Sequence, residues 1–307
     1  MRHKRTLTAA IMAFCLTSAL ALGAPAKVQP RLKLAAGQRF KLKVASDSKM
    51  VQTVNGEKQT VIDSAAMVFA FECQSLDEIG DMTLKVTYDS VRFNEDAPMG
   101  KIAFDSTTGA EVPPLVRGMA ALVGQGFTMR ITPDGRVRSV TGADEIVAKA
   151  IEKHNVLSEP WKSSMSTLLH DRFGNSAAQE SMQGLFDVYP DKPVAVNERW
   201  TKKMELPQFT AESFFRITER KDGILTIKTF YNITPNPDAA PIKMGLVSTK
   251  SEAVGKMEGT LTMEEATGIM RSLKATSTST GNLVILQGDS ELRIPTSIQT
   301  TTSVEKM

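Results

Sequence analysis

Residues 40–74, FKLKVASDSKMVQTVNGEKQTVIDSAAMVFAFECQ, decide the fold. Phe40, Leu42 and Val44 alternate with Lys41, Lys43 and Ala45, the period of a strand with one packed and one wet face. The strand runs on through Met50 to Val54. Asn55-Gly56 follows, a pair that readily takes the positive φ angles of a tight hairpin. The return strand extends from about Glu57 to Gln74. Between Ala65 and Phe71 both parities are apolar, Ala66, Val68 and Ala70 opposite Met67, Phe69 and Phe71. This part of the strand is expected to be covered on both sides, so a second layer should lie on the sheet.

Working outward, Met82, Leu84, Val86 and Tyr88 make a third strand, after which Val91 and Phe93 take the opposite parity. A bulge near Asp89 to Val91 accounts for the slip. Asp105-Ser106-Thr107-Thr108-Gly109 is a turn cluster. Pro113-Pro114 opens a short apolar helix that Gly124 stops. A hairpin follows across Pro133-Asp134-Gly135.

Residues 141–186 change period. Thr141 and Asp144 mark a helix start, with Ile146, Val147, Ala150 and Ile151 as its stripe. Ser158-Glu159-Pro160 opens a second helix carrying Trp161, Met165, Leu168, Leu169 and Phe173, and a third carries Ala178, Met182 and Leu185. Strands return after Tyr189-Pro190. They turn at Lys221-Asp222-Gly223 and at Glu265 to Gly268, and end in a Thr-rich strand from Leu292 to Val304.

The order strands, helices, strands predicts an α+β, mainly β fold. It would be a large curved antiparallel sheet, half-barrel-like, with a layer of short helices from the middle of the chain. Residues 27–307 read as one domain with helical segment 141–186. Two subdomains, 27–140 and 187–307, joined by the helices are the alternative.

At the N-terminus, Arg2-His3-Lys4-Arg5, an apolar run from Leu7 to Gly23 and Ala24-Pro25-Ala26 have the form of a Sec-type signal peptide over residues 1–26. Phe14 before Cys15 does not suit a lipobox. The mature protein is then expected in the periplasm or secreted, with no transmembrane segment once the signal is cleaved. The chain has 37 Lys+Arg against 34 Asp+Glu. Arg2, Lys4 and Arg5 leave with the signal, so the mature chain is balanced. That balance argues against nucleic acid or an anionic membrane as the main partner.

Cys73 alternates with Phe69 and Phe71 and reads as a small buried apolar residue. His154 and His170 each fall near the end of a predicted helix, where a cation is favourable. A two-histidine metal site completed by Glu159 or Asp171 lacks the donors such sites use. Ser163 and His170 share a helix face but stand about 10 Å apart along it, too far for a catalytic hydrogen bond. Glu264-Glu265 borders a hairpin and Asp144-Glu145 a helix start, so neither needs a glycosidase to explain it. No catalytic residue, metal or cofactor is expected, and the chain reads as a non-enzyme.

Methionine is the unusual residue, at 16 against three tyrosines and two tryptophans. Met67, Met82, Met119, Met129, Met165 and Met182 fall on inward parities or stripes. They read as core filling, or as a soft surface for a flexible hydrophobic ligand.

Gly37-x-x-Phe40-x-Leu42, Tyr88-Asp89-Ser90, Asp105-Ser106, Thr132-Pro133-Asp134-Gly135-x-Val137-x-Ser139-Val140 and the Thr-rich last strand resemble a bacterial family of exported proteins. That family is known only as a domain of unknown function. The resemblance implies a fold but no reaction and no catalytic residues. More distantly, the element order resembles the periplasmic lipoprotein carriers, in which a half-barrel under a helical lid holds acyl chains. The leading expectation is an envelope protein binding a hydrophobic or lipid-like ligand between sheet and helices. Met67, Phe69, Phe71, Trp161, Met165 and Leu169 are its candidate lining. The alternative is a protein-interaction or structural module of the envelope, partnered by another protein through a sheet edge.

Overall fold

A computed structural model describes residues 27–98, 100–113, 116–152, 166–167, 169–205, 208–244, 247–288 and 290–307. The signal segment, His154, Glu159, Trp161, Ser163 and Met165 lie outside the described residues.

The predicted class holds: the described chain is mostly strand, arranged as one large, open, curved antiparallel sheet. Strands β1 (Arg39–Val54), β2 (Glu57–Leu76), β3 (Met82–Ala97) and β4 (Gly100–Asp105) come first. Helix α1 (Arg117–Ala120), β5 (Gly126–Ile131), β6 (Val137–Thr141), α2 (Ala143–Glu152) and α3 (Asn175–Phe186) follow. The second half supplies β7 (Arg199–Glu205), β8 (Phe209–Lys221), β9 (Ile224–Pro235), β10 (Ile242–Met244) and β11 (Val247–Ser251). It ends with β12 (Val254–Glu264), β13 (Met270–Gln287) and β14 (Ser290–Lys306). In space the order is β6-β5-β3-β2-β1-β14-β13-β12-β9-β8-β7. The first and last strands pair at the middle, Leu42 opposite Lys306 through Gln52 opposite Thr296, so one sheet contains both halves of the chain.

Local chemistry sets the turns and the bend. Asn55 (φ 53°) and Gly56 (φ 84°) join β1 to β2, and Asp222 (φ 51°) and Gly223 (φ 73°) join β8 to β9, both with the two successive positive φ angles of a type I′ hairpin. The bulge lies where parity slipped: Val68 faces Ser90 and Phe69 faces Tyr88, which leaves Asp89 as the extra residue. On β12 and β13 several inward positions are small: Gly255, Gly259, Ala275, Ser277 and Gly281. A Cβ at Gly259 would lie 2.8 Å from the Ala275 Cβ, so glycine is what lets the two strands approach this closely.

The core occupies one end of the inner face. Phe40, Leu42, Phe69 and Phe71 meet Leu84, Val86, Phe127 and Met129 there, all buried. Helix α3 lies over this end with Ala178, Met182 and Phe186 inward. The predicted second helix is seen at residues 166–167 and 169–173. Helices α2 and α3 cap one another: Asp144 Oδ1 accepts from the Asn175 backbone N–H (2.9 Å), and Asn175 Oδ1 accepts from the Ala143 N–H (2.9 Å). Two irregular segments also cross the inner face. Val28 bridges Val194, the Leu32 N–H donates to the Pro133 carbonyl (2.8 Å), and the Lys33 N–H donates to the Thr267 carbonyl (2.8 Å).

Candidate functional site

Residues directly paired across antiparallel strands share a face, so the registers define rows along the inner surface. One row runs Ile217, Ile227, Leu261, Leu273, Val304, Val44, Met67 and Val91 from β8 to β3. Most of it is buried, with Leu273, Val44 and Met67 partly so. Farther from the core the inner rows stay sheltered but are no longer sealed. Tyr231, Met257, Ser277, Thr300 and Ser48 form one such row, and Ile233, Ile298, Met50 and Val61 belong to the next. Every one of these side chains is half-buried, whereas Lys256, Thr278, Gln299 and Lys49 on the opposite face are exposed. Hydroxyls bond along the rows, Thr300 Oγ1 donating to Ser48 Oγ at 3.3 Å. The result is a floor of methionine, isoleucine and hydroxyl groups, mostly uncharged, continuous with the core at Met67.

The six candidate residues fall in three places. Phe71 is 1 % exposed, stacked on Phe40 at 4.7 Å and met edge-on by Phe186 at 5.8 Å. Phe69 is buried against Tyr88, ring centroids 5.4 Å apart; burial pushes the Tyr88 phenol up to about 12. Met67 stands at the core's margin, packed on it but half-buried. Leu169 is buried, and a Cβ at Gly118 would lie 2.7 Å from its Cδ2, so it seats α1. Trp161 and Met165 lie outside the described residues.

The structure also assembles a polar group that sequence reasoning missed. Lys202, Ser213 and Tyr231 are directly paired on β7, β8 and β9, facing inward. Thr229 is two residues from Tyr231 on the same parity and 4 % exposed. Trp200 stacks on Phe215 at 5.3 Å, Phe215 meets Tyr231 edge-on at 5.8 Å, and the Trp200 Nε1–H donates to the Val188 carbonyl at 3.2 Å. That bond brings Asp187, at the end of α3, toward the cluster. Burial raises the Asp187 carboxyl above its usual range; Lys202 opposes the shift and Asp191 and Asp134 add to it, with Arg136 opposing. Burial likewise raises the Tyr231 phenol, the Asp187 charge adding to it and the Thr229 and Ser213 hydroxyls opposing. Lys202 itself is held by Asp191 at 2.6 Å.

Asp187 therefore opposes folding when ionised. A carboxyl raised in the folded state adds stability that is complete below its unfolded value near 3.8 and is lost as pH rises through the folded value. Asp187→Asn, which cannot ionise, is expected to melt higher than the parent at neutral pH, with the gain disappearing in acid. Paired thermal melts across that range check the sign: a variant that melts lower at neutral pH refutes it.

The other candidates have structural partners. Glu264 binds Lys306 (2.7 Å) and Thr267 (2.8 Å), and Glu265 binds Arg220 (2.6 Å). His170 Nδ1 lies 2.9 Å from the Ser166 carbonyl one turn back. Cys73 is a free, fully buried thiol whose pKa burial raises, the inert environment the alternation predicted. Among the described residues no helix is long and apolar enough to cross a membrane.

A family model described as a family of unknown function, DUF6263, matches residues 79–270. Among curated proteins nothing matches. Three of the solved structures that match this chain do so at low identity. One, solved to describe lipid–protein interactions in lipovitellin, is 7 % identical with a TM-score of 0.48; it covers 90 % of this chain, which spans a quarter (25 %) of the lipovitellin chain. An outer membrane channel from Pseudomonas putida F1 is 8 % identical, covers 90 % of this chain and 97 % of its own, and has a TM-score of 0.26. A domain described as outer membrane lipoprotein-sorting, from Vibrio parahaemolyticus, is 8 % identical, covers 85 % and 83 %, and has a TM-score of 0.13.

Proposed function

The chain belongs to DUF6263, a family of unknown function, and from its geometry we propose a non-enzymatic, exported envelope protein that binds a hydrophobic or lipid-like ligand between sheet and helices. One observation carries this reading. The inner face continues past the sealed core as half-buried Met67, Met50, Ile298 and Met257 interleaved with serine and threonine. Half-buried methionine adapts to a flexible apolar chain, and the hydroxyls satisfy its polar groups without a fixed charge. Met67 forms the threshold, and Phe69 and Phe71 the wall behind it. Export by residues 1–26 places the protein where acyl chains need a carrier. A strand added at the β7 edge is the weaker reading, because Lys202 and Lys203 charge that edge as protein sheets do to prevent pairing.

Mass spectrometry of an organic extract tests the proposal on mature protein purified without detergent. The expected result is a co-purified lipid in stoichiometric amount. An empty extract, together with no uptake of a fluorescent fatty acid, overturns it. Met50 and Ile298 face each other across β1 and β14, so a lysine at either should obstruct the floor. Met50→Lys and Ile298→Lys are expected to weaken fatty-acid uptake at least ~10-fold, since a buried methylene is worth ~0.8 kcal/mol and several lose contact. Both positions are half-buried and a lysine can reach solvent, so the melting temperature should change little. Unchanged uptake in both variants would move the ligand off this face.

A further inference from the structure

The outer face of the sheet carries a second feature that the ligand-binding reading does not use. Arg199 on β7 is directly opposite Arg216 on β8, which is opposite Lys228 on β9. The same row continues through Thr260 on β12 to Lys274 on β13. Four cations thus lie in a line across five adjacent strands, a span of about 19 Å at ~4.8 Å per strand. Among the described residues none of the four side chains forms an ion pair, and the only side-chain hydrogen bond in the row runs from Lys228 Nζ to Thr260 Oγ1 at 2.8 Å.

Like charges directly opposite across strands destabilise a sheet. Several cations elsewhere on the sheet are neutralised, Arg39 by Glu72 (2.9 Å), Lys41 by Asp89 (2.8 Å) and Arg293 by Glu252 (2.6 Å), whereas this row sets three cations on adjacent strands with no acid between them. The unneutralised row coincides with two depressions in the surface, of about 420 and 630 Å³, which share Arg216, Lys228 and Phe230. In the next row Phe214 and Phe230 sit side by side, ring centroids 6.2 Å apart and half-buried. Glu258 is the acid that lines the larger depression, and it forms no ion pair with the row.

We infer that this outer face docks on an anionic lipid surface, with Arg199, Arg216, Lys228 and Lys274 over the headgroup phosphates and Phe214 and Phe230 at the headgroup level. The charges are spread in a line over an open face and do not converge on a point, which fits a plane of headgroups better than one free phosphate. Aromatic rings beside cations are the composition of a membrane-interface contact. The local row overrides the balanced net charge of the mature chain, because attraction to a leaflet falls off within a Debye length and is decided by the charges nearest it. The inference stands whether or not the inner face holds a lipid.

Co-sedimentation of the full mature chain with vesicles decides it. Phosphatidylglycerol-containing vesicles should bind the protein, pure phosphatidylcholine vesicles should not, and molar salt should release it. Each cation near the leaflet contributes roughly fivefold, so losing two costs roughly 30-fold, and Arg216→Glu with Lys228→Glu, which reverses both charges, is expected to weaken binding by more than that. Arg216→Gln with Lys228→Gln should fall between, and covers the case in which the reversed pair does not fold. Lys58→Glu, exposed on β2 beside the hairpin turn, should bind as the parent does. Equal binding to both vesicle types, or a glutamine pair that binds as tightly as the parent, overturns the inference. So does release by millimolar inorganic phosphate at constant ionic strength, which would mark a single-phosphate site, or tighter binding to a single-stranded oligonucleotide. None of these results bears on lipid extracted from the inner face, so the two proposals fail separately.

Discussion

Gly268→Ala is expected to destabilise the protein by about 3 kcal/mol or more, summing left-handed backbone strain and an overlap that cannot relax. Gly268 has φ +69°, and a Cβ there would overlap the Arg31 carbonyl and crowd the Leu32 nitrogen. Those are backbone atoms, fixed by neighbouring bonds. The Lys33 N–H donates to the Thr267 carbonyl (2.8 Å), and the Gly268 N–H donates to the Glu264 carbonyl (2.8 Å). The buried Tyr189 hydroxyl donates to the carbonyl of Gly268 itself (2.8 Å). The β12–β13 turn is therefore the dock at which residues 28–34 and the segment after α3 are fastened to the sheet. A methyl group there pushes both away. Gly37 is the control: its φ is +82° but a Cβ would meet nothing within 4 Å, so Gly37→Ala should cost only the strain, about 1–2 kcal/mol. Urea unfolding of both variants gives the comparison. Equal losses would mean that the close approach of residues 31–32 contributes nothing.

What the sequence made legible was local. The hairpin at Asn55-Gly56 needs only two residues whose backbones tolerate positive φ. The bulge at Asp89 shows as a parity slip within five residues. The burial of Cys73 follows from its place beside Phe69 and Phe71. The cluster of Asp187, Lys202, Ser213, Thr229 and Tyr231 was not legible, because it exists only once β7, β8 and β9 are in register and the segment after α3 is bonded to Trp200 of β7. Taken alone, Lys202 is a polar position on a short strand and Tyr231 an aromatic one. The cationic row has the same character. Arg199, Arg216, Lys228 and Lys274 each read as the wet face of a strand, and only the pairing puts them side by side without counter-charges. The reciprocal caps of Asp144 and Asn175 show the reverse case: the helix start was visible at Thr141 and Asp144, but the acid serves a helix 31 residues away.

Phe71→Ala is expected to cost about 3–5 kcal/mol, the range for truncating a buried aromatic in a core that cannot collapse around the gap. Phe71 is 1 % exposed, its ring lies 6° from parallel with Phe40, and Phe186 of α3 closes on its edge at 87°. Losing it removes the contact by which α3 seats on β2, so the helix should loosen with it. The same variant separates the two roles that Met67, Phe69 and Phe71 were given together. A wall residue buried behind the ligand contributes to stability first: in conditions where Phe71→Ala is still folded, fatty-acid affinity should stay within a few-fold of the parent. A floor residue does the opposite, and Met50→Lys should lose uptake while unfolding at nearly the parent's urea concentration. Finding both patterns places the boundary between core and ligand at Met67, where burial passes from sealed to partial. If Phe71→Ala instead costs under 1 kcal/mol and abolishes uptake, its ring touches the ligand directly, and the packed stack with Phe40 describes a pocket closed in the absence of its ligand.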